Sequence, residues 1–210
     1  MSDLIYVLLS RQTTERNFKA AYSRLKRRCR NWNQLATLKS SEIYEEVAIA
    51  GFGRQRAKEL RTIALRLRAD FGRVTLSPLR TWQTPEAESY LTSLPGVGKK
   101  TARCVLMYAF DRKVFPVDVH CYRILNRLGL INCAGPVRKH EDLIQDRIPP
   151  DLRLALHVNL VSLGRDVCHS TSPECGKCPM QKLCLFAADP KQVGTEASRK
   201  LRRYASEVAV

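Results

Sequence analysis

The chain has 210 residues, enough for one large or two small domains with hydrophobic cores. Its formal net charge of +16, from 36 Lys and Arg against 20 Asp and Glu, exceeds what solubility requires and predicts a polyanionic partner, nucleic acid above all. No apolar run is long enough to span a membrane and no signal-peptide pattern follows Met1. We therefore expect a cytoplasmic protein, associated with the nucleoid if the source is bacterial, and no membrane partner.

Helical periodicity recurs along the chain and no strand-like alternation persists, which predicts an all-α protein. In chain order, the predicted helical segments are Leu4–Leu9, Phe18–Leu25, Trp32–Leu38, Glu42–Ala50, Ala57–Leu67, a helix starting at Thr84-Pro85-Glu86, Ala102–Phe110, Tyr122–Leu128, Glu141–Ile148 and Leu152–Leu163. Ser40 and Ser41 are predicted N-caps, whereas Gly129 and Gly164 are predicted to end helices. The stretch from Gly72 to Thr84 is irregular, and the sequence indicates no function for it.

Basic residues are concentrated in two parts of the chain. Arg24–Arg30 is a basic run, and the helix Ala57–Leu67 combines an apolar stripe with a basic face that includes Arg56. A solvated charged face is the ordinary explanation for such residues, and contact with phosphates is the alternative.

The segment Leu94–Ala102, with the sequence Leu-Pro-Gly-Val-Gly-Lys-Lys-Thr-Ala, predicts a tight turn that opens a helix. Gly96 and Gly98 can adopt positive φ and allow another backbone to approach closely. The N–H groups of the first helical turn would point outward beside these glycines, which makes the turn a candidate phosphate site.

Lys100 falls on the side of this helix opposite the apolar stripe, together with Cys104 and Met107, and we expect it to face away from the core. Taken alone it would be an ordinary solvated lysine. The combination with the glycine turn, and with Asp118 in the following Pro-Val-Asp-Val-His segment, indicates a chemical role instead.

Turn, lysine and aspartate together closely resemble the active-site motif of the endonuclease III family of helix-hairpin-helix (HhH-GPD) DNA glycosylases, Leu-Pro-Gly-Val-Gly-x-Lys-Thr-Ala followed by Val-Asp-x-His. The resemblance implies that Lys100 is the catalytic amine and Asp118 the catalytic carboxylate, with His120 and Arg123 in supporting roles. It also implies two helical domains with the active-site cleft between them. Residues 1–112 would carry the helix-hairpin-helix at about 91–110, and residues 113–210 an iron–sulfur loop and a basic tail.

The family's DNA contacts map onto the following positions of this chain: Gln12, Phe52, Leu94, Gly96, Gly98, Lys99, Thr101 and His120. Gln12 lies in a Leu-Leu-Ser-x-Gln-x-Thr segment. The alternative to a DNA contact is that Gln12 is an ordinary polar residue at the end of a helix. Phe52 stands where the family places an apolar wedge, although an aromatic residue in a loop equally often fills the core. Because family members have a further helix before this segment, we expect an upstream start codon or a shortened variant.

The cysteines fall into two groups. Four are scattered and are predicted to be small core residues: Cys29, Cys104, Cys121 and Cys133. The others have the spacing C-x6-C-x2-C-x5-C, which in an intracellular protein favours a metal site over disulfides: Cys168, Cys175, Cys178 and Cys184.

Zinc sites usually separate two close pairs of cysteines by a longer segment, whereas four thiolates in one loop can surround a cubane with one thiolate per iron. The spacing is also identical to the [4Fe-4S] loop of the endonuclease III family, so the resemblance implies that cofactor, in a structural role. Relatives often carry basic residues between the first two cysteines. This chain does not, and Arg165, Lys177, Lys182 or the tail Arg199–Arg203 are the candidates to contact DNA instead.

The function implied by the resemblance is that of a bifunctional DNA glycosylase and AP lyase of base-excision repair. It would act as a monomer on double-stranded DNA containing oxidised pyrimidines or abasic sites. One alternative is a mismatch-specific glycosylase that removes thymine, uracil or adenine. The other is a non-catalytic DNA-binding protein that uses the hairpin alone, and the pairing of Lys100 with Asp118 argues against it.

Overall fold

The computed structural model describes residues 1–190, so the predicted basic tail Arg199–Arg203 lies outside the described part of the chain. The described residues form ten α-helices joined by turns and short 3-10 helices, with no strand among them, which confirms the all-α prediction. The helices are α1 (Ser2–Leu9), α2 (Glu15–Arg28), α3 (Ser40–Val47), α4 (Gly53–Phe71), α5 (Thr84–Ser93), α6 (Lys99–Phe110), α7 (Val119–Arg127), α8 (Glu141–Asp146), α9 (Arg153–Asp166) and α10 (Leu185–Ala188). None of these is long and apolar enough to cross a membrane.

The chain divides into two compact units, Met1–Arg112 and a second unit that starts at Lys113. In the first unit, α1 packs against α2, α4 and α6, and α5 packs against α6. The apolar run at the start of the chain supplies four buried side chains on α1: Leu4, Ile5, Leu8 and Leu9. Helix α1 is thus a central element of this unit.

Arg56 was predicted to lie on the basic face of α4, and that prediction is wrong because its side chain is only 3% exposed. Its guanidinium donates to Leu8 O and Leu9 O, both at 2.7 Å, and to Gly51 O at 2.6 Å. The last carbonyls of a helix have no partner within it, so a buried arginine can satisfy them. Arg56 therefore ties the end of α1 to the start of α4.

Two helices begin with the same capping arrangement. Helix α3 begins at Ser40 with Lys39 as its N-cap residue, and Glu42 Oε2 accepts from Lys39 N at 2.8 Å. Helix α5 begins at Thr84 with Gln83 as its N-cap residue, and Glu86 Oε2 accepts from Gln83 N at 3.2 Å. In both cases the carboxylate of the third helical residue accepts from the N–H of the N-cap residue, and the predicted caps of α3, Ser40 and Ser41, fall inside the helix.

Two predicted helices differ in type or length from the structure. Trp32–Ala36 is a 3-10 helix, and the predicted helix Glu42–Ala50 ends at Val47 before a 3-10 turn over Ala48–Ala50. The segment 72–84 is irregular apart from a 3-10 turn over Ser77–Arg80. It contributes three buried side chains to the core of the first unit: Val74, Leu76 and Leu79.

In the second unit, α7 packs against α9 around a core that includes Phe115, Val117 and Leu160. Gly129, with φ of 78°, follows the end of α7 as predicted. The prediction that Gly164 ends a helix is wrong, because α9 continues to Asp166 and Gly164 is buried inside it.

Three of the scattered cysteines are buried as predicted: Cys29, Cys104 and Cys121. Cys133 is half-buried and packs against the core of the second unit.

Candidate active site and cysteine loop

The turn between α5 and α6 has one position that requires glycine. Val97 N donates to Leu94 O at 3.1 Å to close the turn, and Gly96 has φ of 74°. Gly98 has φ of −86°, so the expected use of positive φ at that residue is wrong. It is the N-cap of α6, a position that takes extended backbone, and a Cβ added there would meet no atom within 4 Å.

The start of α6 presents backbone rather than side chains. Gly98 provides no side-chain cap for the first N–H groups of the helix, and both Gly96 and Gly98 are exposed. The side chains of Leu94 and Thr101, two of the predicted DNA contacts, are buried. Contact with DNA at these two residues would therefore have to come from their backbone.

Lys100 lies half-buried in the first turn of α6. Beyond it the helix is enclosed, with seven consecutive buried residues: Thr101, Ala102, Arg103, Cys104, Val105, Leu106 and Met107. The prediction that Cys104 and Met107 share an outward face with Lys100 is thus wrong, because α1 and α5 both pack against this helix. Lys100 is consequently a lysine beside a packed interior and not one on a solvated face.

Burial of Arg103 within α6 is compensated by an ion pair. Its Nε lies 2.9 Å from Oε2 of Glu88 on α5, and the arginine side chain is only 3% exposed. A buried guanidinium needs such a partner. The pair therefore joins the two helices on either side of the hairpin.

Asp118 is the N-cap residue of α7, and its Oδ1 accepts a hydrogen bond from Cys121 N at 2.8 Å. The residues before it are anchored, because Phe115 is fully buried and its N–H donates to Gln145 Oε1 at 2.7 Å. A helix N-terminus stabilises the charged form of a carboxylate. The half-buried side chain is thus held by the start of α7 within the second unit, whereas Lys100 belongs to the first unit.

His120 packs against α9 and is oriented by an arginine. A Cβ built on Gly164 would lie 2.5 Å from His120 Nδ1, so the ring occupies the space that the glycine leaves open. Arg123 Nη2 lies 3.1 Å from the same Nδ1 and donates to Gly164 O at 3.0 Å. The ring therefore lies between the guanidinium of Arg123 and the backbone of α9.

The cysteine loop is attached to α7 by two arginines. Arg123 donates through Nε and Nη2 to Cys168 O at 3.1 and 2.7 Å. Arg127 donates to Cys168 Sγ at 3.2 Å and to the carbonyls of His169 and Ser170 at 2.7 and 2.9 Å. Arg127 was missed by the sequence analysis, although its position one helical turn after Arg123 was the available signal.

The four predicted metal-binding cysteines line one small pocket together with Arg127 and Phe186: Cys168, Cys175, Cys178 and Cys184. Among residues 1–190, no three His, Cys, Asp or Glu side chains are close enough to hold a single metal ion. Four thiolates around one pocket are the donor set that a cubane takes, with one thiolate for each iron, and they are also a donor set that zinc can take.

Two other predicted DNA contacts lie at strained turns. Phe52 has φ of 52° and its side chain is 62% exposed, which excludes the alternative that it fills the core. Gln12 has φ of 47° and is exposed in the turn between α1 and α2. Left-handed backbone is unfavourable for residues with a side chain, and it is concentrated at functional sites.

Comparison with known proteins identifies the family. Residues 5–150 match the HhH-GPD superfamily base excision DNA repair protein family, a match that ends before the cysteine loop. The chain is 31% identical to Endonuclease III of Thermotoga maritima over 183 residues, covering 87% of this chain and 81% of the relative. It is 26% identical to the Thymine/uracil-DNA glycosylase of Methanothermobacter thermautotrophicus, covering 87% of this chain and 80% of that protein.

Solved structures agree with the sequence matches. The fold matches that of a non-covalent Endonuclease III–DNA complex with a TM-score of 0.75 and 26% identity, over 90% of this chain and 85% of that chain. It matches a thermostable thymine-DNA glycosylase with a TM-score of 0.71 and 26% identity, over 89% and 83% of the two chains. The chain therefore belongs to the HhH-GPD superfamily of base excision DNA repair proteins. Within that superfamily it is an endonuclease III-like DNA glycosylase.

Proposed function

We propose that this protein is a bifunctional DNA glycosylase and AP lyase that removes oxidised pyrimidines from duplex DNA. The observation that carries the proposal is the placement of Lys100. This residue is half-buried in the first turn of α6, directly after a glycine turn that exposes backbone. In the endonuclease III family this position distinguishes enzymes that cut the strand from those that only release the base.

DNA binding in this proposal depends on backbone at the hairpin and on net charge. Phosphate would be held at the exposed turn around Gly96 and Gly98, where α6 begins without a side-chain cap. The net charge of +16 favours association with any duplex and makes the affinity depend steeply on salt. Damage recognition must therefore come from a later step.

That step is extrusion of the damaged nucleotide from the base stack. Unstacking costs a few kcal/mol and least for a damaged or mispaired base, so flipping itself selects the substrate. Phe52, exposed in left-handed backbone at the start of α4, is suited to enter the stack as a wedge. Gln12, exposed at its own turn, is suited to contact the opposite strand or the space that the base vacates.

The chemistry divides between two side chains. The neutral amine of Lys100 attacks C1′ of the sugar as the bond to the base breaks, and the base leaves with the bonding electrons and takes up the proton that the amine nitrogen loses. Asp118 stabilises the positive charge that develops on the sugar. Ring opening gives a Schiff base between Nζ and C1′. Loss of a proton from C2′ then expels the 3′ phosphate by β-elimination.

We further propose that Cys168, Cys175, Cys178 and Cys184 hold a [4Fe-4S] cluster. When bound, the cluster crosslinks the loop through four Fe–S bonds, which is a structural function. The loop already contacts α7 through Arg123 and Arg127, so its conformation bears on the helix that begins at Asp118. No step of the reaction passes through the cluster.

A mismatch-specific glycosylase is the second candidate, because the relatives and the similar structures include thymine-removing enzymes. A panel of duplexes containing oxidised pyrimidines, T:G and U:G mispairs or an abasic site separates the two. The proposal predicts base release and strand cleavage on oxidised pyrimidines, and cleavage of the abasic duplex. Release of thymine or uracil without strand cleavage would support the second candidate. Binding without release on every duplex would leave only a DNA-binding role.

A further inference from the structure

A partly buried ion pair lies beneath the hairpin, in which the Glu59 side chain is 11% exposed and the Arg11 side chain 31% exposed. Arg11 Nη2 lies 2.5 Å from Glu59 Oε2, and Arg11 Nη1 donates to Gly96 O at 2.5 Å. A Cβ built on Gly96 would lie 2.5 Å from the Glu59 carboxylate. Glu59, with 9% of its surface exposed, is also held by Gln55 Nε2 at 2.8 Å from Oε1.

This arrangement joins three segments that are distant in sequence and that carry the proposed DNA contacts of the first unit. Arg11 immediately precedes Gln12, Glu59 belongs to the helix that follows Phe52, and Gly96 is the hairpin glycine. Arg11 Nε additionally lies 3.2 Å from Leu8 O at the end of α1. A rigid, planar guanidinium can satisfy several acceptors at fixed angles, which an ammonium group cannot do.

The carboxylate of Glu59 presents an electrostatic problem for a phosphate site. It touches the hairpin, and an uncompensated negative charge there would repel the phosphate that the hairpin is proposed to bind. Arg56, the other nearby cation, has its guanidinium donors directed to backbone carbonyls. Within residues 1–190, Arg11 is the cation that forms an ion pair with this carboxylate.

We propose that Arg11 is a positioning residue of the DNA-binding surface. It neutralises Glu59 under the hairpin and locks the Gly96 carbonyl to the turn that carries Gln12. The inference rests on the proposed function of the hairpin in DNA binding. It assigns Arg11 no phosphate contact of its own, because each of its three guanidinium nitrogens donates to an acceptor within the protein.

The test is a double-variant cycle with Arg11→Ala, Glu59→Gln and both together. Affinity for an undamaged duplex and for an abasic duplex is measured over a range of salt concentrations, alongside melting temperature. Arg11→Ala should weaken binding about tenfold at low salt, and the loss should shrink as salt screens the exposed carboxylate. Glu59→Gln in the Arg11→Ala background should restore affinity to within about threefold of wild type, because it removes the repelling charge.

Two further variants separate this account from general destabilisation. Arg11→Lys keeps the positive charge but lacks the planar guanidinium with its several N–H donors. It should therefore lose less DNA affinity than Arg11→Ala, and it remains informative if the alanine variant does not fold. Arg66→Ala with Asp70→Asn removes an exposed ion pair of α4, in which Nε and Oδ2 are 2.6 Å apart, and should leave DNA affinity unchanged.

The inference would be overturned if the double variant bound DNA as weakly as Arg11→Ala and the slope of log affinity against log salt concentration fell by about 0.9. That result would mean that Arg11 itself contacts a phosphate. Unchanged affinity in Arg11→Ala would overturn it as well. A wild-type protein that binds no duplex would refute the proposed function of the hairpin, an outcome distinct from both of these.

Discussion

Gly164 on α9 and His120 on α7 are in contact with no room for a Cβ between them, because such an atom would lie 2.5 Å from His120 Nδ1. His120 is two residues after Asp118, and its ring is further fixed by Arg123. The packing of one glycine thus helps to fix the start of the helix that carries the proposed catalytic carboxylate.

Gly164→Ala should therefore displace His120 and separate α7 from α9. Overpacking of this kind costs about 1–3 kcal/mol in the free energy of unfolding, measured by denaturant titration. Base release should fall more than DNA affinity, since Asp118 is disturbed and the hairpin is not. Gly176→Ala is the matched control, because a Cβ there meets no atom within 4 Å and its cost should stay below about 0.5 kcal/mol. Equal stability of the two variants would contradict the assigned contact.

Gly98→Ser should change stability and DNA affinity in opposite directions. Serine is a good N-cap, so its hydroxyl should accept from the second or third N–H of α6 and raise the melting temperature. The same hydroxyl and its Cβ would occupy the place proposed for a phosphate, and affinity for any duplex should decrease. A filter-binding or anisotropy titration at fixed salt measures the second effect. Unchanged affinity with raised stability would show that the phosphate does not bind at this helix start.

Replacement of the loop cysteines tests the cofactor. Wild-type protein purified without oxygen should contain about four irons, one for each thiolate. Cys178→Ser should lose iron, whereas Cys133→Ser, a half-buried cysteine outside the loop, should retain it. Metal content by mass spectrometry and the visible absorption spectrum report the outcome. Stoichiometric zinc with no iron in the wild type would count against the cluster.

Tyr90→Phe should reduce the stability of the segment 72–84 in a pH-dependent way. Tyr90 donates to Asp70 Oδ2 at 2.7 Å, and this bond, followed by that of Arg66, lowers the pKa of the Asp70 carboxyl. A lowered folded-state pKa gives stability that is present above the unfolded pKa and is lost as pH falls through the folded value. The difference in melting temperature between variant and wild type should thus narrow in acid. Tyr44→Phe is the control, and a difference independent of pH would contradict this assignment.

Much of this molecule could be predicted because its signals are local. Motif spacing identified Lys100, Asp118 and the four loop cysteines as candidates, and apolar periodicity predicted most helices. The errors came from tertiary contacts that periodicity does not register. Arg56 is buried because carbonyls at the end of α1 need a donor, and Cys104 and Met107 are buried because two helices enclose α6.

The role of Gly164 also depends on a tertiary contact that the sequence pattern does not register. Gly164 was predicted to end a helix because glycine usually does so, yet here it allows a ring to approach. The pairing of Arg11 with Glu59 could not be predicted, since 48 positions separate the two residues, Arg11 stands at a variable position of its segment and Glu59 belongs to no motif.

Borohydride trapping with duplexes that contain an oxidised pyrimidine or an abasic site tests directly whether Lys100 is the nucleophile. Wild type and Lys99→Ala should both form a covalent complex. Lys100→Ala should form none and should cut no strand while binding duplex about as tightly as wild type. Trapping that survives in Lys100→Ala and disappears in Lys99→Ala would move the nucleophile by one residue. Absence of trapping with the wild type on every duplex would contradict the lyase activity itself.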